Sequence, residues 1–225
     1  MPELDLLNSD KNEPRLLRSR AGQSVFRHVL ACVDASDFSL IALAHAAAIA
    51  AATGARLTIL RVLEPSAGQA PTDPVEWSLR RRDIGAELKA RALRLGDLNA
   101  DVIVIDGRAA ECICAWARDN GVDLTVLGAG GESNRPFAGL GGTARRVAET
   151  TNSSVLLVPR AELGDAPVRY RRVMTPLDGS PRSESALPVA LAVAAAHDAE
   201  VVLVHAAGSV AQIGLGDSCC ESRVI

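Results

Sequence analysis

The residues best suited to chemistry lie between Leu127 and Thr143, where Gly128, Gly130, Gly131, Gly139, Gly141 and Gly142 punctuate a single loop. The loop follows Asp123-Leu124-Thr125-Val126-Leu127, an apolar run of strand length, and leads into Thr143-Ala144-Arg145-Arg146-Val147-Ala148-Glu149, which has helical spacing. A strand, a glycine-rich loop and a helix start in that order can cradle a phosphate. Glycine lets the backbone approach a ligand, and the first N–H groups of a helix point outward unpaired and favour negative charge. A glycine-rich surface loop without a ligand is the alternative. Phosphotransfer of the Walker kind is excluded, because the loop has no lysine and the chain's lysines are Lys11 and Lys89. His28, His45, His197 and His205 lie on apolar segments with no evident Ser or Cys partner, so no catalytic residue is assigned. The chemistry expected is binding, not turnover.

The elements that must position this loop follow in order. Residues 1–24 mix charge, proline, Asn and Ser without periodicity and read as a flexible leader. Phe26 to Asp34 is a strand ending in a carboxylate. Ser36 is the expected N-cap of a helix from Asp37 to Thr53, with Leu40, Leu43, Ala44 and Ala47 as its packing stripe and Gly54 as its stop. Arg56 to Leu63 is a second strand, Pro65 to Pro74 a loop, and Val75 to Gly96 a helix with Trp77, Leu79, Ile84, Leu88, Ala92 and Leu95 as apolar positions. Arg80-Arg81-Arg82 sits within that helix and reads as a solvated face neutralised by Glu76, Asp83 and Glu87. Further strands run over Asp101 to Asp106, Val122 to Leu127 and Ser154 to Val158, with helices over Arg108 to Asn120 and Thr143 to Thr151 between them.

Strands alternating with helices of this length give an α/β domain over residues 25–160, a doubly wound, five-stranded, mainly parallel sheet flanked by helices. In such sheets ligands bind beyond the carboxyl ends of the strands, where the strand order reverses. Asp34, the end of the second strand at Val62 and the loop after Gly128 all lie at carboxyl ends, so the fold can bring them to one crevice.

Composition limits the partners. Apolar residues make up 48% of the chain and aromatics 3%, so the core is built from small side chains at close helix–sheet contact. A net charge of −3 gives no general attraction to nucleic acid or anionic lipid. No apolar run spans a membrane, and Met1-Pro2-Glu3-Leu4-Asp5 does not start a secretory signal, so a cytoplasmic protein is expected. Cys32, Cys112, Cys114, Cys219 and Cys220 fit no disulfide or zinc framework and read as buried or inert thiols.

The chain also contains a copy of its own beginning. Phe26 to Leu30 and Val33-Asp34-Ala35-Ser36 align with Tyr170 to Met174 and Leu177-Asp178-Gly179-Ser180, at a constant offset of 144 residues. The register continues without a gap, pairing Leu43 with Leu187, Leu57 with Val201 and Val62 with Ala206, which is strong evidence of duplication. Ser180-Pro181 is the expected N-cap and first residue of a helix. This partial β-α-β repeat covers 169–207, leaves an irregular tail over 208–225, and has no counterpart of the glycine loop. Too short to cover a sheet on both faces, it is expected to dock on the first domain or on another subunit, or to be poorly ordered.

With these residues in view, the chain resembles the universal stress protein family in its tandem form, with the second domain cut short. The strand ending in Asp34, the segment Asp123 to Gly128 and the strand Val155 to Val158 carry the resemblance. Nucleotide-binding members have a G-x-x-G-x9-G-[S/T] loop and bind ATP in the crevice described. Gly128 and Gly131 match its first glycines; Gly141 keeps the nine-residue spacing, whereas Gly142-Thr143 keeps the chemistry after ten. The resemblance implies that Asp34 contacts ribose or adenine and that the Val62 backbone holds the adenine edge. Gly128, Gly131, Gly142 and Thr143 would surround the phosphates, with Thr143 also capping its helix. A plain turn carboxylate at Asp34 and a plain N-cap at Thr143 are the alternatives. Mg²⁺ would accompany the nucleotide, because Glu132 otherwise repels the phosphates; Arg145 and Arg146, in a first helical turn, would be relieved by a nearby anion. The implied function is binding of ATP or a related adenine nucleotide as a stress signal, with slow hydrolysis compatible. The alternative is a module without nucleotide that acts through dimerisation. In relatives the edge strand corresponding to Val155 to Val158 pairs with its own copy, so a homodimer is implied.

Overall fold

The computed structural model describes residues 25–64, 74–95, 100–130, 140–160 and 167–205. The expected leader, most of the loop after Leu63 and the tail over 208–225 lie outside these residues. The first unit comprises β1 (His28–Val33), α1 (Ser39–Thr53), β2 (Arg56–Leu63), α2 (Pro74–Arg94), β3 (Ala100–Asp106), α3 (Ala109–Asp119), β4 (Leu124–Gly128), α4 (Gly142–Thr150) and β5 (Ser154–Val158). All five strands are parallel, in the order β3-β2-β1-β4-β5. β1 is central and buried at every position, as a strand covered on both faces must be.

Strand alternation sends successive side chains to opposite layers. Val29, Ala31 and Val33 join Leu43, Ala46, Leu88 and Ala92 under α1 and α2. Leu30 and Cys32 join Ile113, Ala117, Ala144 and Val147 under α3 and α4. The thiol expectation holds for Cys32, which is buried and whose pKa burial pushes far up. The buried pair His28 and Thr58 is hydrogen-bonded inside the sheet: His28 Nε2 meets Thr58 Oγ1 at 3.0 Å, and His28 Nδ1 meets the Asn120 carbonyl at 3.2 Å. That histidine is a structural bridge.

Three local expectations are corrected. Ser36 does not cap α1, which begins at Ser39 without a side-chain cap. The Ser36 hydroxyl instead donates to Asp34 Oδ1 at 2.5 Å, and the Ser36 carbonyl accepts from the Ser39 hydroxyl at 2.8 Å. Leu79 is exposed, whereas Leu88 and Ala92 hold α2 to the sheet. The arginine triplet is solvent-exposed as expected, but Arg81 finds its partners off its own helix: it donates to the Val104 carbonyl at 2.6 Å and pairs with Asp106, while Glu87 is taken by Arg91. The strand beneath α2 ends closer to Arg81 than any carboxylate of the helix.

The repeat is visible in three dimensions. The second unit comprises β6 (Arg172–Leu177), α5 (Pro181–Glu184), α6 (Leu187–His197) and β7 (Glu200–His205). Moving β1 by 144 residues gives the bounds of β6, and the pair His28↔Arg56 becomes Arg172↔Glu200. Ser180 caps its helix as expected, accepting from the Ser183 N–H, with proline following it. The unit forms its own two-stranded sheet and docks on the first, with Tyr170, Val189 and Val193 packed against the α1 layer. A helix thus packs on its own duplicate, α6 against α1. For that reason α1 is buried beyond one stripe, from Ile41 through Ala50, whereas the expected Leu40 is only half-buried.

Candidate functional site

The strand order reverses between β1 and β4, since the chain builds outward from β1 through β2 to β3 and then returns to β4 and β5 on the other side. A parallel sheet splays its connections apart there and opens a crevice at the carboxyl ends. Asp34 follows β1, Gly128 ends β4, and Val62 lies near the end of β2. Arg56 N donates to the Arg27 carbonyl, so even-numbered residues of β2 face β1. The β1–β2 ladder ends at Val33↔Arg61, and the Val62 carbonyl is therefore directed past the last partner, into the gap beyond β1.

The Asp34 carboxylate is partly committed. Its Oδ1 accepts from the Ser36 N–H at 2.9 Å and from the Ser36 hydroxyl. The second copy repeats the turn, with Ser180 N donating to Asp178 Oδ1 at 2.9 Å and the Ser183 hydroxyl to the Ser180 carbonyl at 2.9 Å. Hydrogen bonds from the Ser180 and Ser183 side chains hold the Asp178 carboxyl well below its ordinary range. The Asp-x-Ser turn is thus common to both copies. Oδ1 belongs to the turn, and any ligand contact of Asp34 falls to Oδ2.

The glycine loop is closed at its neck. Ala129 N donates to the Val158 carbonyl and Gly141 N to the Ala129 carbonyl, both at 2.8 Å. Gly131, Glu132 and Arg135 lie outside the described residues. The expected cap at Thr143 is corrected: α4 starts at Gly142, Gly141 occupies the N-cap with extended backbone, and Thr143 is an exposed residue of the first turn. The two candidate registers of the motif therefore fall on the cap and first residue of one helix, so the extra residue leaves a glycine at the helix start either way.

Two helices start at this end of the sheet on the same face. At α3 the Glu64 carboxylate, just beyond β2, accepts from the Ala109 N–H at 2.7 Å. At α4 no side chain among the described residues caps the first turn. Of these two positive helix ends, only that of α3 meets a carboxylate among the described residues. Arg145, in the first turn of α4, donates its Nε to Glu149 at 2.8 Å. Gly130 and Gly142 have ordinary φ and open space where a Cβ would stand. Among the described residues nothing crowds a side chain at either position.

Gly128 and Gly130 line a shallow surface cleft together with Phe38, Val158, Pro159 and Arg160; Asp34, Val62, Gly142 and Thr143 are not among its lining residues. Phe38 and Arg160 escaped the sequence reading. Each sits in its own connection, far from the other in sequence, and only the sheet, with β1 and β5 on either side of β4, brings them together. Among the described residues no group of His, Cys, Asp or Glu could hold a metal ion, and no helix is long and apolar enough to cross a membrane.

The profile of the Universal stress protein family matches residues 26–159 and 169–213. A universal stress protein of Thermus aquaticus, designated by its place in the QAH/OAS sulfhydrylase 3′ region, is 34% identical over 136 residues, covering 60% of this chain and 99% of its own. A solved universal stress protein in complex with cAMP is 27% identical, with a TM-score of 0.50, over 61% of this chain and 100% of that one. The universal stress protein UspA from Lactobacillus plantarum is 27% identical, with a TM-score of 0.50, over 59% and 97%.

Proposed function

We propose that this chain, which belongs to the universal stress protein family, binds an adenine nucleotide at the carboxyl ends of β1 and β4 and uses it as a signal, without fast turnover. The observation that carries the reading is the strand-order reversal between β1 and β4, with the glycine loop closed at its neck and a start of α4 that no described side chain caps. Backbone N–H groups of Gly142 and Thr143 would face the phosphates. The Val62 carbonyl and Asp34 would face the adenosine end, and Gly131 belongs to the same assignment by its place in the motif. The solved relative with cAMP supports the adenine nucleotide as ligand class. Mg²⁺, if used, arrives with the phosphates, since the described residues build no metal site of their own.

Thermal unfolding of the full chain, titrated with ATP and Mg²⁺, ADP and cAMP, tests this. A ligand at about 100 times its Kd adds about 2.7 kcal/mol of stability, enough to raise Tm by several degrees. An unchanged Tm at millimolar concentrations of all three removes the reading.

A homodimer through β5 is the second element of the proposal, favoured by its position at the open edge of the sheet. Ser154 N donates to the Asp123 carbonyl, so even-numbered residues of β5 face β4 while Val155 and Leu157 direct their N–H groups outward. Val158 is buried and Leu156 packs on the core, so charges there would unfold the domain. Val155→Pro removes one outward donor and leaves the β4 ladder intact. It is expected to convert a dimer to a monomer in sedimentation, with its circular dichroism retained; an unchanged mass disproves pairing through this edge.

A further inference from the structure

We infer that Arg160, seated on Phe38, is the residue that reads ligand charge in this cleft, binding the phosphate of the nucleotide. The inference rests on the nucleotide reading above and adds two residues outside the glycine loop. The Arg160 guanidinium carbon lies 3.6 Å from the centre of the Phe38 ring, and both side chains line the cleft with Gly128 and Gly130.

Phe38 is 40% exposed, in a chain where aromatics are scarce, and lies outside both core clusters. Its ring face is occupied by the guanidinium. Among the described residues lining this cleft, Arg160 alone carries a formal charge. The glycine loop offers N–H dipoles but has no lysine. The Asp34 carboxylate follows β1 at the same end of the sheet, and holding a phosphate near it calls for a full positive charge.

A guanidinium suits this place better than an ammonium. It is weakly hydrated, so resting on a ring costs it little, and its planar fork of donors matches two oxygens of one phosphate. The aromatic seat restricts the side chain before the ligand arrives, which reduces the entropy lost on binding. The consequence is selectivity by charge. The site holds nucleoside phosphates well above the bare nucleoside, and the difference resides in Arg160.

Calorimetric titration of the full chain with ADP and with adenosine, at low and at raised salt, tests this. Arg160→Ala is expected to weaken ADP about tenfold or more and adenosine far less, and to flatten the salt dependence of ADP binding. Arg160→Lys recovers part of the loss, keeping the charge without the fork. Phe38→Leu weakens ADP about threefold, keeping bulk without the ring face. Arg160 is exposed, so an unchanged Tm without ligand certifies the fold of its variants. ADP bound equally by wild type and Arg160→Ala, or equal losses for ADP and adenosine, overturns this inference and leaves nucleotide binding standing. A wild type that binds neither overturns the nucleotide reading itself.

Discussion

Replacing Leu30 by alanine is expected to lower the free energy of unfolding by about 3 kcal/mol, whereas Met174→Ala, at the equivalent position 144 residues later, stays within about 0.5 kcal/mol. Leu30 is 0% exposed and Met174 is 66% exposed. Both stand at the third position of their strand and point to the same face of their sheets. In the first unit that face is covered by Ile113 and Ala117 of α3 and by Ala144 and Val147 of α4. Truncating Leu30 therefore removes a transfer term and leaves a cavity that close-packed neighbours cannot fill. In the second unit, only the face toward α6 is covered among the described residues, so truncating Met174 opens no cavity. Urea unfolding of the two variants measures the contrast. Equal costs would mean that something, such as a second copy of the chain, covers Met174 in solution.

The same asymmetry explains what the sequence could and could not convey. The fold was legible because every strand of the first unit is a short apolar run bounded by turn residues, and because a gapless offset ties two parts of the chain together. Arg56 to Leu63 and Ser154 to Val158 appear with the bounds that their patterns indicate. Helix starts were less legible. Ser36 and Thr143 both look like caps, yet Ser36 is drawn into the Asp34 turn and Thr143 is preceded by a glycine already extended into the cap position. Cap preferences of about 1 kcal/mol yield readily to such neighbours. Convergence in space was least legible: Glu64 at the start of α3 and Arg160 on Phe38 join residues from different connections, and no local pattern marks them. The docking face of α1 was hidden for a related reason. A helix rich in alanine shows no narrow stripe, and only the position of α6 reveals why its second face is apolar too.

At the junction of the two units, acidification is expected to weaken docking, and Tyr170→Ala to cost about 2 kcal/mol or more. Tyr170 lies between two histidines: its hydroxyl is 2.8 Å from His45 Nδ1, and its ring meets the His197 ring edge-on at 4.7 Å. The repeat shows that this trio is peculiar to the junction, since Phe26 and Thr53 hold the positions equivalent to Tyr170 and His197, and Val189 that equivalent to His45. Burial pushes the Tyr170 hydroxyl up to about 12, so it stays neutral throughout. Burial lowers the pKa of His45; burial, and then the positive charge of Arg169, lower that of His197. His197 Nε2 is buried with no hydrogen-bond partner among the described residues, so a proton placed there would create a buried N–H without an acceptor. Both imidazoles therefore bind protons more weakly in the docked state than in the separated one. Their contribution to docking is complete above the ordinary histidine value of about 6.5 and is lost as pH falls through the lower values of the docked state. Urea midpoints of the wild type should accordingly fall between pH 7.5 and pH 5. The pair His45→Val and His197→Thr, each taken from the other copy of the repeat, removes both titrating rings while keeping apolar or small side chains there. That double variant should lose most of the acid slope attributable to the junction. An acid slope equal to that of the wild type would place the sensitivity outside this junction.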